Sequence, residues 1–383
     1  MESNSEEELY VCDPEYTKEG VKGHTRYKLN GSRVPETLIR KYKDFHSLRK
    51  KLVERWPGVY IPNLPHKKKV GNKSKKIVSM RLKMINRFLK KLSKLDYLFN
   101  SEEMDLFLQN TSSVTKTLEG IKLENYEDLL KKYSLAFTDY DDNFDINSGK
   151  KEQDKFLKQI TEIYPKIKHF RSLVSQAKER YRGEQQNYLD VINMLTLYEK
   201  ETIKDFVNKN ENKLVFFNMK NIELCENISN AQEQVINPYE RLYEAITEDY
   251  LNTEAIIEGL ETLKNLQETY GKLAKNYNNT NTLLIELQAG KQSVKTMFKN
   301  KEKEISKLIS EKEEQEKNIN DLGEIIKIAT FNMQNTITNF KTVSLNNYYA
   351  ELSRIEGDTE KNAIIFDNLW ETVVKDKNIS QFN

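Results

Sequence analysis

RKYKDFHSLRKKLVERWPGVYIPNLPHKKKVGNK, residues 40–73, followed by SMRLKMINRFLKKL at 79–92, is the stretch on which the reading of the chain turns. From Arg40 to Lys94 there are 19 Lys and Arg against 2 acids, Asp44 and Glu54, a local excess of +17. The whole chain nets only +2, which leaves about −15 for everything outside the stretch. Positive charge this concentrated expects a dense anionic partner: a phosphorylated lipid surface, nucleic acid or an acidic protein.

Apolar spacing inside the stretch gives it local structure. Asp44 is the expected cap of a helix whose stripe Phe45, Leu48, Leu52, Trp56 ends at Pro57. Ile61–Lys69 holds two prolines around Asn63-Leu64 and is expected to be extended. Helical spacing returns over 76–94 through Ile77, Met80, Met84 or Ile85, Phe88 and Leu92, with a shorter helix at about 102–109. Upstream, YVC (10–12) reads as a strand ending at Asp13-Pro14. HTRYKL (24–29) and VPETLIRKY (34–42) read as two more, separated by an Asn30-Gly31 turn signal. Five of the seven prolines fall in the first 65 residues, so a mixed α+β module gives way to a helical remainder.

The hydrophobic share of 37% and charged share of 31% suit long two-sided helices with narrow apolar stripes. Cys12 and Cys225 lie far apart and form no ligand pair, so a reducing compartment is expected. Residues 1–7 are expected to be disordered. MESNSEEE has no charged-then-apolar signal pattern, which argues against secretion. No apolar run of about 18 residues is present, so any membrane contact is expected to be peripheral.

Taken together, these pieces resemble a phox-homology (PX) domain, the phosphoinositide-binding module of sorting nexins. The resemblance covers about residues 8–110, in order. It rests on Val11-Cys12-Asp13-Pro14, Arg40-Lys41-Tyr42-Lys43-Asp44-Phe45, the proline loop Ile61-Pro62-Asn63-Leu64-Pro65-His66-Lys67, and Met80-Arg81 before Ile85, Arg87, Phe88 and Leu89. It implies that Lys41, with Arg40 beside it, holds a 3-phosphate and that Tyr42 lies beneath the inositol ring. It implies further that Lys67 meets the 1-phosphate and that Arg81 bonds the 4- and 5-hydroxyls. Guanidinium suits vicinal oxygens, and ammonium suits a single phosphate. Two positions depart from the family pattern: Lys41 replaces an arginine, and Asn63 replaces a proline, leaving the loop less preorganised. Phosphatidylinositol 3-phosphate is the implied lipid. Lys68, Lys69, Lys73, Lys75 and Lys76 read as non-specific attraction to anionic lipid, worth about 1 kcal/mol each.

Residues 111–150 read as a connector: a polar linker TSSVTK, an amphipathic segment with Ile121, Tyr126, Leu129 or Leu130, Tyr133 and Phe137, and an acidic loop TDYDDNFDINSGK. Mixed charge favours docking of this helix against neighbouring helices over its lying on a membrane, and the resemblance to sorting nexins implies that it acts as a clamp. Three sustained stripes then predict helices at about 151–207, 213–277 and 286–376. NKNENK (208–213) and NYNNTN (276–281) mark the turns, Pro238 kinks the second helix and Gly357 interrupts the third stripe. A helix of 55 residues is about 80 Å long. Helix number, length and order over 151–378 resemble a BAR domain, a dimer of three long helices per chain. That implies a homodimer or a heterodimer with another PX-BAR protein, with Lys272, Lys275, Lys291, Lys295, Lys299 and Lys301 as tip contacts.

The implied function is a peripheral protein of the cytosolic face of early endosomes or their tubules, engaging a phosphoinositide membrane, curvature, and cargo or coat proteins. The alternative keeps the PX domain and makes the helices a coiled-coil tether or scaffold without curvature activity. Nucleic acid is set aside because no such motif appears and the proline loop would have no role. No phosphate loop, nucleophile elbow, zinc motif or cofactor motif is present, and His24, His46, His66 and His169 are scattered, so neither an enzyme nor a cofactor is expected.

Overall fold

The computed structural model describes residues 9–19, 22–31, 33–34, 38–65, 74–109, 113–198, 230, 233–289 and 301–375. Three strands, β1 (Tyr10–Glu19), β2 (Lys22–Asn30) and β3 (Ile39–Lys41), form an antiparallel sheet in that order. Helices follow: α1 (Tyr42–Arg55), α2 (Lys75–Ser93), α3 (Asp96–Phe99), α4 (Glu102–Leu108), α5 (Val114–Gly120), α6 (Tyr126–Ala136), and then the long α7 (Ile146–Tyr198), α8 (Tyr239–Gln288) and α9 (Lys301–Lys375). The fold class is the one predicted: an α+β module followed by a helical region. No described helix is long and apolar enough to cross a membrane.

The elements differ from expectation where proline and asparagine were read too strictly. Asp13-Pro14 does not end β1. Pairing slips between Cys12 and Glu15, Asp13 takes a positive φ of 45°, and the strand resumes to Glu19. A bulge absorbs what a ladder cannot. Among the described residues the third strand pairs over Ile39–Lys41, the Leu29 N–H reaches the Leu38 carbonyl at 2.9 Å, and Val34 donates its N–H to the Gly31 carbonyl in a turn. α1 begins at Tyr42, two residues before the expected cap. Asp44 acts from the first turn instead, accepting the Lys41 N–H at 2.8 Å. TSSVTK is not all linker: α5 starts at Val114, which is buried with Leu118.

The long helices shift likewise. α7 starts at Ile146, within the expected loop, because Asp145 accepts the N–H groups of Asn147 and Ser148 at 3.0 and 3.2 Å. α8 starts at Tyr239, so Pro238 stands before a helix instead of kinking one. Asn237 Oδ1 accepts the Tyr239 N–H at 3.1 Å, and a proline there removes no helical bond. NYNNTN is helical and α8 runs on to Gln288. The asparagine penalty of a few tenths of a kcal/mol per residue is offset by packing of Leu284 and Leu287 with Leu308. α9 passes through Gly357 without a break. The segments 199–207 and 208–213, and the expected helix over 213–229, lie outside the described residues.

Two compact units result: Met1–Glu162 with Leu251–Phe340, and Ile163–Tyr250 with Lys341–Asn383. In the first, one continuous core runs from the sheet through α1 to α6 into α8 and α9 (Leu29, Phe45, Trp56, Phe88, Tyr133, Ile256, Ile326, Met333). Its centre is Trp56, stacked on Tyr133 at 5.7 Å and packed against Tyr97 and Phe137, with Lys132 Nζ 4.0 Å from its ring. The amphipathic segment therefore docks through Leu129, Tyr133 and Phe137, as its mixed charge predicts. In the second unit, Val174, Leu242 and Ile246 form a smaller core, with Tyr164 and Tyr250 stacked and their hydroxyls 2.6 Å apart.

A charged cluster closes the docked connector. Arg55 pairs with Glu102 at 2.6 Å and with Glu124, while Lys132 donates to Glu124 at 3.0 Å and to the Arg55 carbonyl at 3.0 Å. Glu103, fully buried, lies 3.4 Å from Arg55 and 3.5 Å from Lys132. Burial alone would raise the Glu124 carboxyl, but the bonds from Arg55 and Lys132 outweigh it and hold it below the usual range. Its stabilisation is therefore complete above the unfolded pKa of about 4.3 and is lost as pH falls through the lower folded value. Thermal melts of wild type from about pH 5 to about pH 3 should fall more steeply than those of Glu124→Gln, and parallel curves would contradict this coupling.

Candidate functional site

The basic stretch folds so that α1, α2 and the end of the proline segment meet at Tyr42. Tyr42 is the first residue of α1, directly after the β3 strand that delivers Lys41. Its hydroxyl donates to the Pro65 carbonyl at 2.6 Å, tying the helix start to the segment that leads to Lys67. Arg81 lies on the buried face of α2, one turn before Met84 and Ile85, and its guanidinium sits 4.5 Å over the Tyr42 ring. His46, one turn along α1, packs edge-on to the same ring at 4.8 Å. Burial drives the Tyr42 phenol well above its ordinary pKa, against the pull of the Arg81 charge. The ring stays neutral and hydrogen-bonded at physiological pH.

Arg40 takes a different part from the one expected. It is buried at 3% exposure. Nε and Nη2 donate to the Phe107 carbonyl at 3.0 and 2.6 Å, Nη2 reaches the Gln109 carbonyl at 2.6 Å, and Nη1 reaches the Ile39 carbonyl at 2.9 Å. Burial pulls its pKa down to about 10, with the Asp44 charge opposing, so it remains a cation. Its donors fasten β3 to the end of α4, and it supports the site from behind. Lys41, by contrast, is half-buried, and its backbone N–H bonds Asp44, whose other oxygen accepts from Thr115 at 3.2 Å.

Thus Arg81 is brought over Tyr42, Lys41 directly precedes Tyr42 in the chain, and Arg40 is turned to the carbonyls of Ile39, Phe107 and Gln109. Lys67, Lys68, Lys69 and Lys73 lie outside the described residues. Lys75 is exposed at the start of α2, capped by Ser74, whose Oγ accepts the Ile77 N–H at 3.2 Å. The side chain of Lys76 lies outside the description. Of the expected tip lysines, Lys272 and Lys275 are exposed within α8, well before its end at Gln288, so they do not flank a turn. Lys291, Lys295 and Lys299 fall outside the described residues, as does the side chain of Lys301.

The sequence reading missed several residues that shape the site. Arg49, two turns beyond Tyr42, donates through Nε to the Pro62 carbonyl at 2.9 Å. Positions 42, 46 and 49 follow helical spacing, a signal that was available. Tyr27 is fully buried on β2, and its hydroxyl has no hydrogen-bond partner among the described residues. Asn63 donates to Glu254, 191 residues away in sequence, which no local pattern could show.

Residues 30–111 match the PX domain family. The chain is 26% identical over 169 residues to sorting nexin 1 of Arabidopsis thaliana, covering 42% of this chain and 41% of that protein. It is 29% identical over 177 residues to sorting nexin-30 of Xenopus tropicalis, covering 39% and 40%. It is 31% identical over 110 residues to the vacuolar protein sorting-associated protein vps5 of Schizosaccharomyces pombe, covering 26% and 19%. The chain spans about two fifths or less of the length of these relatives. The cryo-EM structure of the SNX-BAR Mvp1 tetramer shares the fold, with a TM-score of 0.58 and 16% identity over 96% of this chain and 100% of that one. These findings define the class as a PX domain joined to a BAR-type helical region. Residues 30–111 thus carry a PX domain, and over the aligned stretches the chain is similar to sorting nexins.

Adjacent cations should separate by role. Arg40→Ala strips the Phe107, Gln109 and Ile39 carbonyls of charged donors and should lower stability by about 2 kcal/mol or more in chemical denaturation. Lys41→Ala, at a half-buried position, should lower it by clearly less. Equal losses from the two variants would contradict the assignment.

Proposed function

We propose that this chain is a peripheral membrane protein that binds phosphatidylinositol 3-phosphate through its PX domain. It senses or promotes membrane curvature as a BAR dimer in endosomal sorting, on the cytosolic face of early endosomes or related tubules. The module occupies about 8–110, the clamp-bearing connector 111–150 and the BAR-type region 151–378. The observation that carries this reading is the Arg81 guanidinium stacked on Tyr42, with the Tyr42 hydroxyl on Pro65. A planar donor fork, a flat ring and a fixed loop, with Lys41 alongside, are the parts a phosphorylated inositol needs. Lys41 holds the 3-phosphate, Lys67 the 1-phosphate and Arg81 the ring hydroxyls, while the remaining lysines add diffuse attraction. The role is one of binding and scaffolding, not catalysis.

Two features support self-association. On α7, Ile163, Phe170 and Leu173 are exposed at helical spacing, and so are Tyr349 and Leu352 on α9. Narrow stripes of this kind are covered by a second chain, either a copy or another PX-BAR protein. The related fold of Mvp1 is a tetramer. A dimer presenting two weak headgroup sites on one surface gains avidity, because the second engagement is intramolecular. Cargo or coat proteins would bind the assembled form.

Liposome flotation, with each phosphoinositide supplied singly, tests the lipid assignment. Wild type should float with phosphatidylinositol 3-phosphate. Arg81→Ala and Tyr42→Ala, each checked for folding by circular dichroism, should lose this by about tenfold or more. Unchanged flotation of folded variants would reduce binding to diffuse charge, which added salt would then abolish.

A further inference from the structure

Beyond Trp56 the chain runs along α8 before it reaches the headgroup site. Gly58, at a φ of 86° that favours glycine, donates its N–H to Thr262 Oγ1 at 2.9 Å. The Tyr60 hydroxyl donates to Asn252 Oδ1 at 2.9 Å, and Lys91 Nζ reaches the same oxygen at 2.6 Å. Asn63 Nδ2 donates to Glu254 Oε2 at 3.0 Å, while Asn63 Oδ1 accepts the Leu64 N–H at 2.8 Å. Arg49, bonded to the Pro62 carbonyl, is paired with Glu258. A Cβ on Gly259 would approach the Val59 carbonyl oxygen to 3.0 Å, so the backbone lies directly against the helix. Pro65 is then held by Tyr42, and Lys67 follows two residues later.

Asn63 is the position at which the resembled family carries proline. A proline fixes φ covalently, and asparagine does not. Here both ends of the Asn63 amide are occupied, one by the next residue and one by a helix distant in sequence. We propose that Glu254 of α8 is a positioning residue for the headgroup site: its carboxylate fixes Asn63 and thereby the segment whose Pro65 carbonyl holds the Tyr42 hydroxyl. Lipid affinity is thus set in part from the helical region. The inference rests on the headgroup reading above and adds to it a source of preorganisation, which strengthens binding by reducing the ordering left to the ligand.

Charge provides a discriminating sign. A carboxylate near a phosphate site repels the ligand, so electrostatics alone would make its removal strengthen binding. Positioning requires the reverse. In the full-length chain, titration calorimetry with inositol 1,3-bisphosphate and flotation on phosphatidylinositol 3-phosphate vesicles should both show Glu254→Ala about fivefold weaker. Glu254→Gln, which keeps an acceptor oxygen, should bind as wild type or better. Asn63→Ala should match Glu254→Ala, and the double variant should be no weaker than either, as expected for one shared contact. Asn63→Ala also carries the test if Glu254→Ala does not fold. Wild-type or tighter binding by Glu254→Ala, or additive losses in the double variant, would overturn the proposal even if the melting temperature fell. Arg81→Ala, measured in parallel, separates the two levels. If it leaves binding intact, the headgroup reading falls and this inference with it. If it abolishes binding while Glu254→Ala does not weaken it, only the positioning role falls.

Discussion

The segment from Pro57 to Pro65 has no regular structure of its own, and it is held on two sides. α8 takes its Gly58, Tyr60 and Asn63 groups, and Tyr42 takes the Pro65 carbonyl. The Tyr133 hydroxyl holds the Pro57 carbonyl at the other end. A loop of this length left free would have to be ordered by its ligand, at about 1–2 kcal/mol per residue fixed. Folding does that ordering in advance, by joining the N-terminal module and the α8 and α9 segments into one core around Trp56. The candidate site depends on that junction.

The +17 stretch accordingly supplies several cations that build the fold. Arg40 is committed to the carbonyls of Phe107 and Gln109, Arg49 to Glu258, Arg55 to Glu102 and Glu124, and Lys91 to Asn252. These four cations are thus held by groups from later in the chain, two of them by acids. The Arg81 guanidinium lies over the Tyr42 ring, and Lys41 directly precedes Tyr42 in the chain.

The sequence was most legible where periodicity is strong. The stripe Phe45, Leu48, Leu52, Trp56 and the Phe88 face of α2 are buried as their spacing requires, and long helices follow the module among the described residues. It was least legible at punctuation. Asp13-Pro14, Pro238 and NYNNTN were each read as breaks, and each was resolved by context: a bulge, a helix start, and packing around Leu284. For the candidate site, Tyr42 and Arg81 stood in recognisable motifs. The second role of Arg40 depended on the distant end of α4, and that of Asn63 on α8. Contacts spanning 67 and 191 residues leave no periodic trace.

Amide hydrogen exchange over residues 58–64 of the free, full-length protein tests the preordered segment most directly. The account predicts slow exchange at Gly58 and Leu64 without ligand, and no further slowing when inositol 1,3-bisphosphate is added. Exchange at open-loop rates in the free protein, slowing only with the headgroup bound, would contradict it.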